Sequence, residues 1–273
     1  MVAKARECQG ETVLLTFNPH PRHVVQPHAE PVPMLSTNDE KIRLLSEAGI
    51  EHLVEINFTL AFARLSPTDY VRELLVNIVG AKTVVVGYDH RFGANRGGDI
   101  RTLRQLSEIF DFSVEEIPAA VWDDVRVSST KIRQALTDGD VSLANGLLGY
   151  EFEIEGTVVK GNGRGRKMGV PTANISLVES MKLVPRNGVY AARCMIGDEW
   201  HHAMVNIGTN PTFGNSPERS VEVHVLNFQG DLYGSRLRVK FISRLRDEVK
   251  FSSIGALIEQ IALDRQQTLR IFS

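Results

Sequence analysis

The sequence predicts an α/β unit built on a doubly wound parallel sheet over residues 1–149. An all-β antiparallel barrel or sandwich closed by a C-terminal helix follows over 150–273. Three observations predict this order. A chain of 273 residues exceeds the usual size of one compact core, so a seam is expected. Short apolar runs alternate with helix-like stretches as far as Ile117, which is the texture of β-α-β units. From about Tyr150 onward the texture becomes strands separated by Gly, Pro and Asn turns, as in antiparallel barrels.

The opening MVAKAREC has helix-forming composition and stops at Gly10, but no capping residue precedes it, so it reads as the tail of a helix. The first-unit strands are VLLTF, HLVEI, TVVVG and FSVEEI, with helical patterns at 38–48, 67–79 and 99–110. Ligands on such sheets sit beyond the carboxyl ends of the strands, which singles out the loops NPHPRH and YDHRFGANRGGD. SSTKIRQAL and VSLANGLLG then read as two short helices broken at Asp138-Gly139-Asp140. Beyond the seam come FEIEGTVV, GVYAARCMI, HHAMVNIG, SVEVHVLNF and LRVKFIS. The stretch 252–272 carries Ile254, Leu257, Ile258, Ile261, Leu269 and Phe272 at roughly helical spacing, which predicts a helix packed on the barrel.

Hydrophobic residues at 42% and charged residues at 23% fit an ordinary globular protein. A net charge of -2 argues against broad nucleic-acid binding, although Arg164, Arg166 and Lys167 form a local basic patch sized for one nucleotide. Cys8 and Cys194 lack the spacing of a zinc site or a disulfide framework. There is no membrane-length apolar run and no secretory start, so a cytoplasmic location is expected.

The stretch GNGRGRKMGVPTAN, 161–174, matches neither the P-loop nor the dinucleotide-binding pattern. Its alternating glycines let backbone N–H groups approach an anion, with Arg164, Arg166 and Lys167 as charged donors. The residues alone leave a phosphate cradle and a solvated basic turn both open. In a strand beginning near Pro171, Thr172 and Asn174 share a face and present a hydroxyl and an amide oxygen to one Mg²⁺, or else bond locally to backbone. SVEVHVLN puts Val221, Val223 and Val225 on one face and Glu222 and His224 on the other. That face is either solvated or, in a barrel mouth, holds a carboxylate placed to take a proton from a hydroxyl.

The runs GNGRGRKMGVPTAN, PRNGVYAA, VNIGTNPTF, SVEVHVLNF with DLYG, and RLRDEVKF resemble, in order and spacing, the riboflavin kinase module of the bacterial bifunctional riboflavin kinase/FAD synthetase family. The resemblance implies a six-stranded antiparallel barrel and ATP held by Gly163, Arg164, Gly165, Arg166 and Lys167. It also implies a divalent cation at Thr172 and Asn174, and Glu222 as base for the riboflavin 5'-hydroxyl. Flavin contacts are implied at Asn187, Gly188, Tyr190 and Arg246.

The first half is similar to the FAD synthetase module, a Rossmann-like nucleotidylyltransferase fold. TFNPHP, VVGYDHRFGANRGGD and SSTKIR match its order. By that resemblance Asp89, Phe92 and Gly93 lie near the adenine nucleotide and Ser128, Ser129, Thr130 and Arg133 near its phosphates. A capped surface helix is the bland reading of SSTKIR. The family's opening strand and its G-x-F-D-G-x-H-x-G-H loop have no counterpart in the sequence. His20 and His23 flank Pro21 in what reads as a tight extended turn rather than a helix start. The expectation is an N-terminally incomplete sheet whose central strand is missing, leaving its two neighbours with unpaired backbone. The resemblance thus implies riboflavin, ATP and FMN as small-molecule ligands and FMN as the main product. Full FMN and FAD synthesis, and flavin or nucleotide binding without chemistry, are the alternatives.

Overall fold

A computed structural model describes residues 1–161, 165, 169–177, 179–210 and 218–273, with the Asn210 and Glu218 side chains outside the description. By internal packing the chain forms two compact units, Met1–Val32 with Asn38–Ala120, and Pro33–Thr37 with Val121–Ser273. The texture change at about Tyr150 marks the approach to the first barrel strand at Glu153. The packing division falls earlier, because Leu136, Val141, Ala144 and Leu147 share one core with Ile154, Val205 and Val239 of the barrel.

In the first unit, α1 spans Val2–Glu7, β1 Val13–Asn18, α2 Pro21–Val25, α3 Asn38–Glu47 and β2 His52–Asn57. Then follow β3 at Thr83–Gly87, α4 at Ile100–Phe110 and β4 at Ser113–Ile117. The histidine loop differs from the extended turn expected: Pro21 opens α2, and the His20 ring accepts the Arg22 N–H as its cap. Proline suits a first helical position, where its missing N–H leaves no bond unmade. The helix expected at 67–79 is π-helical over Tyr70–Ile78, with Val79 N–H bonded to the Leu74 carbonyl five residues back.

The pairing is parallel, as expected, but it is divided. β1 pairs with β2 from Val13↔His52 to Asn18↔Asn57, and β3 with β4 from Thr83↔Ser113 to Gly87↔Ile117. Among the described residues these are two separate two-stranded sheets. A single apolar cluster serves both: Leu15, Phe17 and Ile56 from one pair, and Val84, Val86 and Val114 from the other, pack against Leu103, Leu106 and Val71. Side-chain burial, rather than a continuous ladder, therefore holds the first unit together.

In the second unit a short hairpin, β5 Val121–Trp122 and β6 Val125–Arg126, precedes α5 at Ser129–Asp138 and α6 at Val141–Leu148. The strands β7 Glu153–Val159, β8 Ala173–Leu177, β9 Gly188–Ile196, β10 Glu199–Asn210, β11 Glu218–Val225 and β12 Arg236–Arg246 close a six-stranded barrel. Its order is β10-β11-β8-β7-β12-β9, antiparallel throughout. Tyr190, Phe152 and Phe241 are its largest buried aromatic side chains.

The C-terminal helix α7 spans Ile254–Ile271, as expected, and Leu257, Ile261 and Phe272 of the expected stripe are half-buried, but its fully buried residues are polar. Ile254, Ile258 and Leu269 are exposed, whereas Asp264 and Thr268 are buried. Polar groups can take the inward positions because each is satisfied there: Asp264 accepts from Arg246 and Gln260, and the Thr268 hydroxyl donates to the Asp264 carbonyl.

Candidate active site

The site is built where β8 and β11 run side by side. Their register sets Glu222 opposite Asn174 and Val223 opposite Ala173. Val221, Val223 and Val225 point into the barrel core, so Glu222 and His224 stand on the outer face of the wall and not in a barrel mouth. That face is nevertheless built upon. The Thr172 hydroxyl donates to Glu222 Oε2 at 3.0 Å, and His224 Nδ1 lies 2.8 Å from the Pro171 carbonyl. Two side chains of β11 therefore fix the short approach to β8.

Close approach explains Gly161 and Gly165, whereas Gly169 has open space around it and a positive φ of +75°. A Cβ on Gly161 would lie 2.1 Å from Asn174 Nδ2, and one on Gly165 only 2.4 Å from the Val170 carbonyl and 3.3 Å from Thr172 Oγ1. Gly161 leaves room for Asn174, and Gly165 leaves room for the turn that delivers Thr172. Gly163, Arg164, Arg166 and Lys167 lie outside the described residues. The Thr172 hydroxyl and the Asn174 amide oxygen are hard oxygen donors of the kind a small divalent cation takes alongside phosphate oxygens, so these two residues fit such an ion, with the Glu222 carboxylate beside them. Among the described residues there is no cluster of three or more His, Cys, Asp or Glu that would hold a metal without substrate.

Beside Thr172 opens a cavity of about 150 Å³, lined among others by Val158, Ala173, Val223, Phe228 and Leu232. Phe228 and Leu232 belong to no sequence-predicted site. The signal that could have found them was the apolar punctuation of the NFQGDLYG turn after β11.

The four residues expected to meet flavin have distinct structural duties. Tyr190 is wholly buried, its hydroxyl donates to the Arg186 carbonyl, and burial raises its pKa. Gly188 opens β9 where a Cβ would lie 2.7 Å from the Arg246 carbonyl. Arg246 is engaged with Asp264, through Nε at 3.0 Å and Nη2 at 2.8 Å, and lies over the Phe251 ring, so it ties β12 to α7. Asn187 is half-buried, with its Oδ1 accepting from Arg219 Nε at 3.0 Å. Arg219 was missed by sequence reasoning, since one more arginine at the start of a strand carries no pattern.

The residues expected to hold the adenylyl-transfer nucleotide fall in both units. In the first, Asp89 is exposed beyond β3, and Gly93, at φ +70°, abuts the Pro67 backbone where a Cβ would lie 2.8 Å away. Phe92 and Gly98 exchange backbone bonds that close the loop between them, while the Phe92 ring is buried against Tyr70. In the second unit, Ser128 caps α5 by accepting the Lys131 N–H at 3.3 Å, and Ser129 and Thr130 are exposed in its first turn. Arg133 donates from Nε to the Pro33 carbonyl at 2.8 Å, and burial lowers its pKa.

Comparison with known proteins decides the family. A riboflavin kinase family model matches residues 148–272 and an FAD synthetase model residues 1–131. The bifunctional riboflavin kinase/FMN adenylyltransferase of Listeria monocytogenes is 34% identical over 278 aligned positions, spanning 100% of this chain and 87% of that protein. This chain belongs to the bifunctional riboflavin kinase/FMN adenylyltransferase family. The counterpart from Escherichia coli K12 is 35% identical across 95% of this chain and 82% of its own length. A solved structure described as a macrolide-efflux protein from Streptococcus pneumoniae superposes with a TM-score of 0.90 at 32% identity, covering 98% of this chain and 86% of that one. The riboflavin kinase match covers the barrel, and the FAD synthetase match covers the first unit and continues to residue 131 in the second. Among the described residues no helix is long and apolar enough to cross a membrane.

Proposed function

We propose that the second unit is an ATP-dependent riboflavin kinase, transferring the γ-phosphoryl group to the riboflavin 5'-hydroxyl to give FMN. The observation that carries this is the joined set of Thr172, Asn174 and Glu222, held by one hydroxyl–carboxylate bond and one strand register under close-packed glycines. Phosphoryl transfer needs mainly alignment and charge neutralisation. Glu222, fixed by Thr172, is the group to align the attacking hydroxyl and accept its proton. Thr172 and Asn174 would hold a divalent cation such as Mg²⁺, which would supply charge neutralisation at the transferring phosphate. The apolar cavity walled by Phe228 and Leu232 suits an adenine ring, and the segment Asn187–Tyr190 suits the flavin.

We further propose that FMN, rather than FAD, accumulates. This rests on the divided sheet of the first unit, whose strand pairs share a core but no ladder. Incubating the purified chain with riboflavin and Mg-ATP and resolving the three flavins over time tests both statements. FMN alone supports them, FAD overturns the second, and no product overturns the first. Glu222→Gln should lower kcat by about 10²- to 10⁴-fold, the range of general-base contributions, with the Kd for ATP nearly unchanged. An unaltered kcat would remove Glu222 from the role of base.

A further inference from the structure

The turn that leads into β9 is held in an unusual way. Its four successive carbonyls, Val184 to Asn187, each accept a hydrogen bond from a side chain. Arg219 donates Nη1 to Val184 O at 3.1 Å and Nη2 to Pro185 O. Tyr190 donates its hydroxyl to Arg186 O, and Arg244 donates Nη2 to Asn187 O at 2.8 Å. The turn lies ahead of β9 and outside its ladder, so its carbonyls must find partners elsewhere. Arg219 alone serves two of them and, through Nε, the Asn187 side-chain oxygen as well.

We propose that Arg219 is a positioning residue that orients the Asn187 amide toward the flavin. Because the guanidinium holds Asn187 Oδ1 on its own side, the amide is oriented with its Nδ2 hydrogens, which are donors, turned away from it toward a ligand. A donor at this place fits the carbonyl-bearing edge of an isoalloxazine ring. Arg219 also lies three residues before Glu222 on β11, so one strand sets both the base and the flavin turn. The planar, forked guanidinium suits three acceptors at once, which a lysine ammonium on a flexible stem does not.

The inference rests on the kinase reading above, and its test separates the two. Steady-state kinetics of FMN formation and riboflavin binding by quenching of flavin fluorescence are measured for wild type, Arg219→Gln, Arg219→Lys, Asn187→Ala and the Arg219→Gln/Asn187→Ala pair. Arg219→Gln is expected to raise the KM and Kd for riboflavin about tenfold while the KM for ATP stays within twofold, the loss of charged hydrogen bonds being of that order. Arg219→Lys should recover little. The double variant should be no worse than Asn187→Ala alone, since Arg219 acts through Asn187. Additive losses, equal changes in both KM values, or no change would overturn the proposal. A wild-type chain that binds riboflavin without phosphorylating it would fail the kinase reading, yet the Kd series would still decide the role of Arg219. A wild-type chain that does not bind riboflavin would overturn both.

Discussion

At the scale of single residues, the site is shaped as much by side chains that are absent as by those present. The Gly165 position touches the Val170 carbonyl, a backbone atom that cannot swing aside as a side chain could. Gly165→Ala should therefore push the turn away from Thr172 and raise the KM for ATP about tenfold or more, with the Kd for riboflavin within twofold. Titration of each substrate separately checks this, and an unchanged ATP response would mean the turn has room to relax. The residue types of this site were legible in the sequence because GNGRGRKMGVPTAN and SVEVHVLN carry spacing that a reader can weigh. The contact between Thr172 and Glu222 was not legible, since it depends on a register between strands 50 positions apart in the chain. Arg219 escaped for the same reason: its meaning lies in carbonyls on a distant turn. The two lone thiols are a further case. Burial pushes the Cys194 pKa up to about 12 in the barrel core, whereas Cys8, equally isolated in the sequence, is exposed.

At the scale of elements, strands were easier to read than the face a helix buries. Alternation in SVEVHVLN identified the inward valines of β11, whereas hydropathy found only part of the inward face of α7: Leu257, Ile261 and Phe272 are half-buried, but Asp264 and Thr268 are inward and Ile254 and Ile258 are not. Hydropathy cannot anticipate a buried carboxylate whose partner is on another element. Here that partner is Arg246, in a two-pronged pair with Asp264. Removing one member of such a pair leaves the other without its counter-charge, at a typical cost of 3–5 kcal/mol. Since Arg246 retains some exposure while Asp264 is only 4% exposed, the lower end applies, and Asp264→Ala should cost about 3 kcal/mol. Urea unfolding followed by far-ultraviolet circular dichroism measures this as a lower midpoint. A shift equal to that of an exposed control such as Glu259→Ala would show that α7 is held by something other than this pair. Arg246 would then be released for the flavin contact implied by family resemblance.

At the scale of the whole molecule, the two units are stabilised by different means. Every barrel strand has a neighbour on each side, so its ladder bonds are shared around a closed wall with no open edge. In the first unit, β1 and β3 each have one strand neighbour among the described residues, and the apolar cluster of Leu15, Phe17, Val84 and Val86 holds the two pairs together. Backbone amides on an open strand edge exchange with water without waiting for global opening, whereas those inside a closed barrel need it. Amide hydrogen exchange on the intact chain, resolved by strand, should therefore show β1 and β3 exchanging at least about 100-fold faster than β9 and β11, roughly 3 kcal/mol less protection. The contrast should persist when riboflavin and Mg-ATP are added, because both ligands are assigned to the barrel and add protection there. Equal protection of β1 and β9 would mean that the edges of the first unit are covered. The divided sheet would then cease to be a reason for FMN, rather than FAD, to accumulate. Faster exchange in β1 and β3 together with FMN accumulation would connect the open ladder to the missing second step.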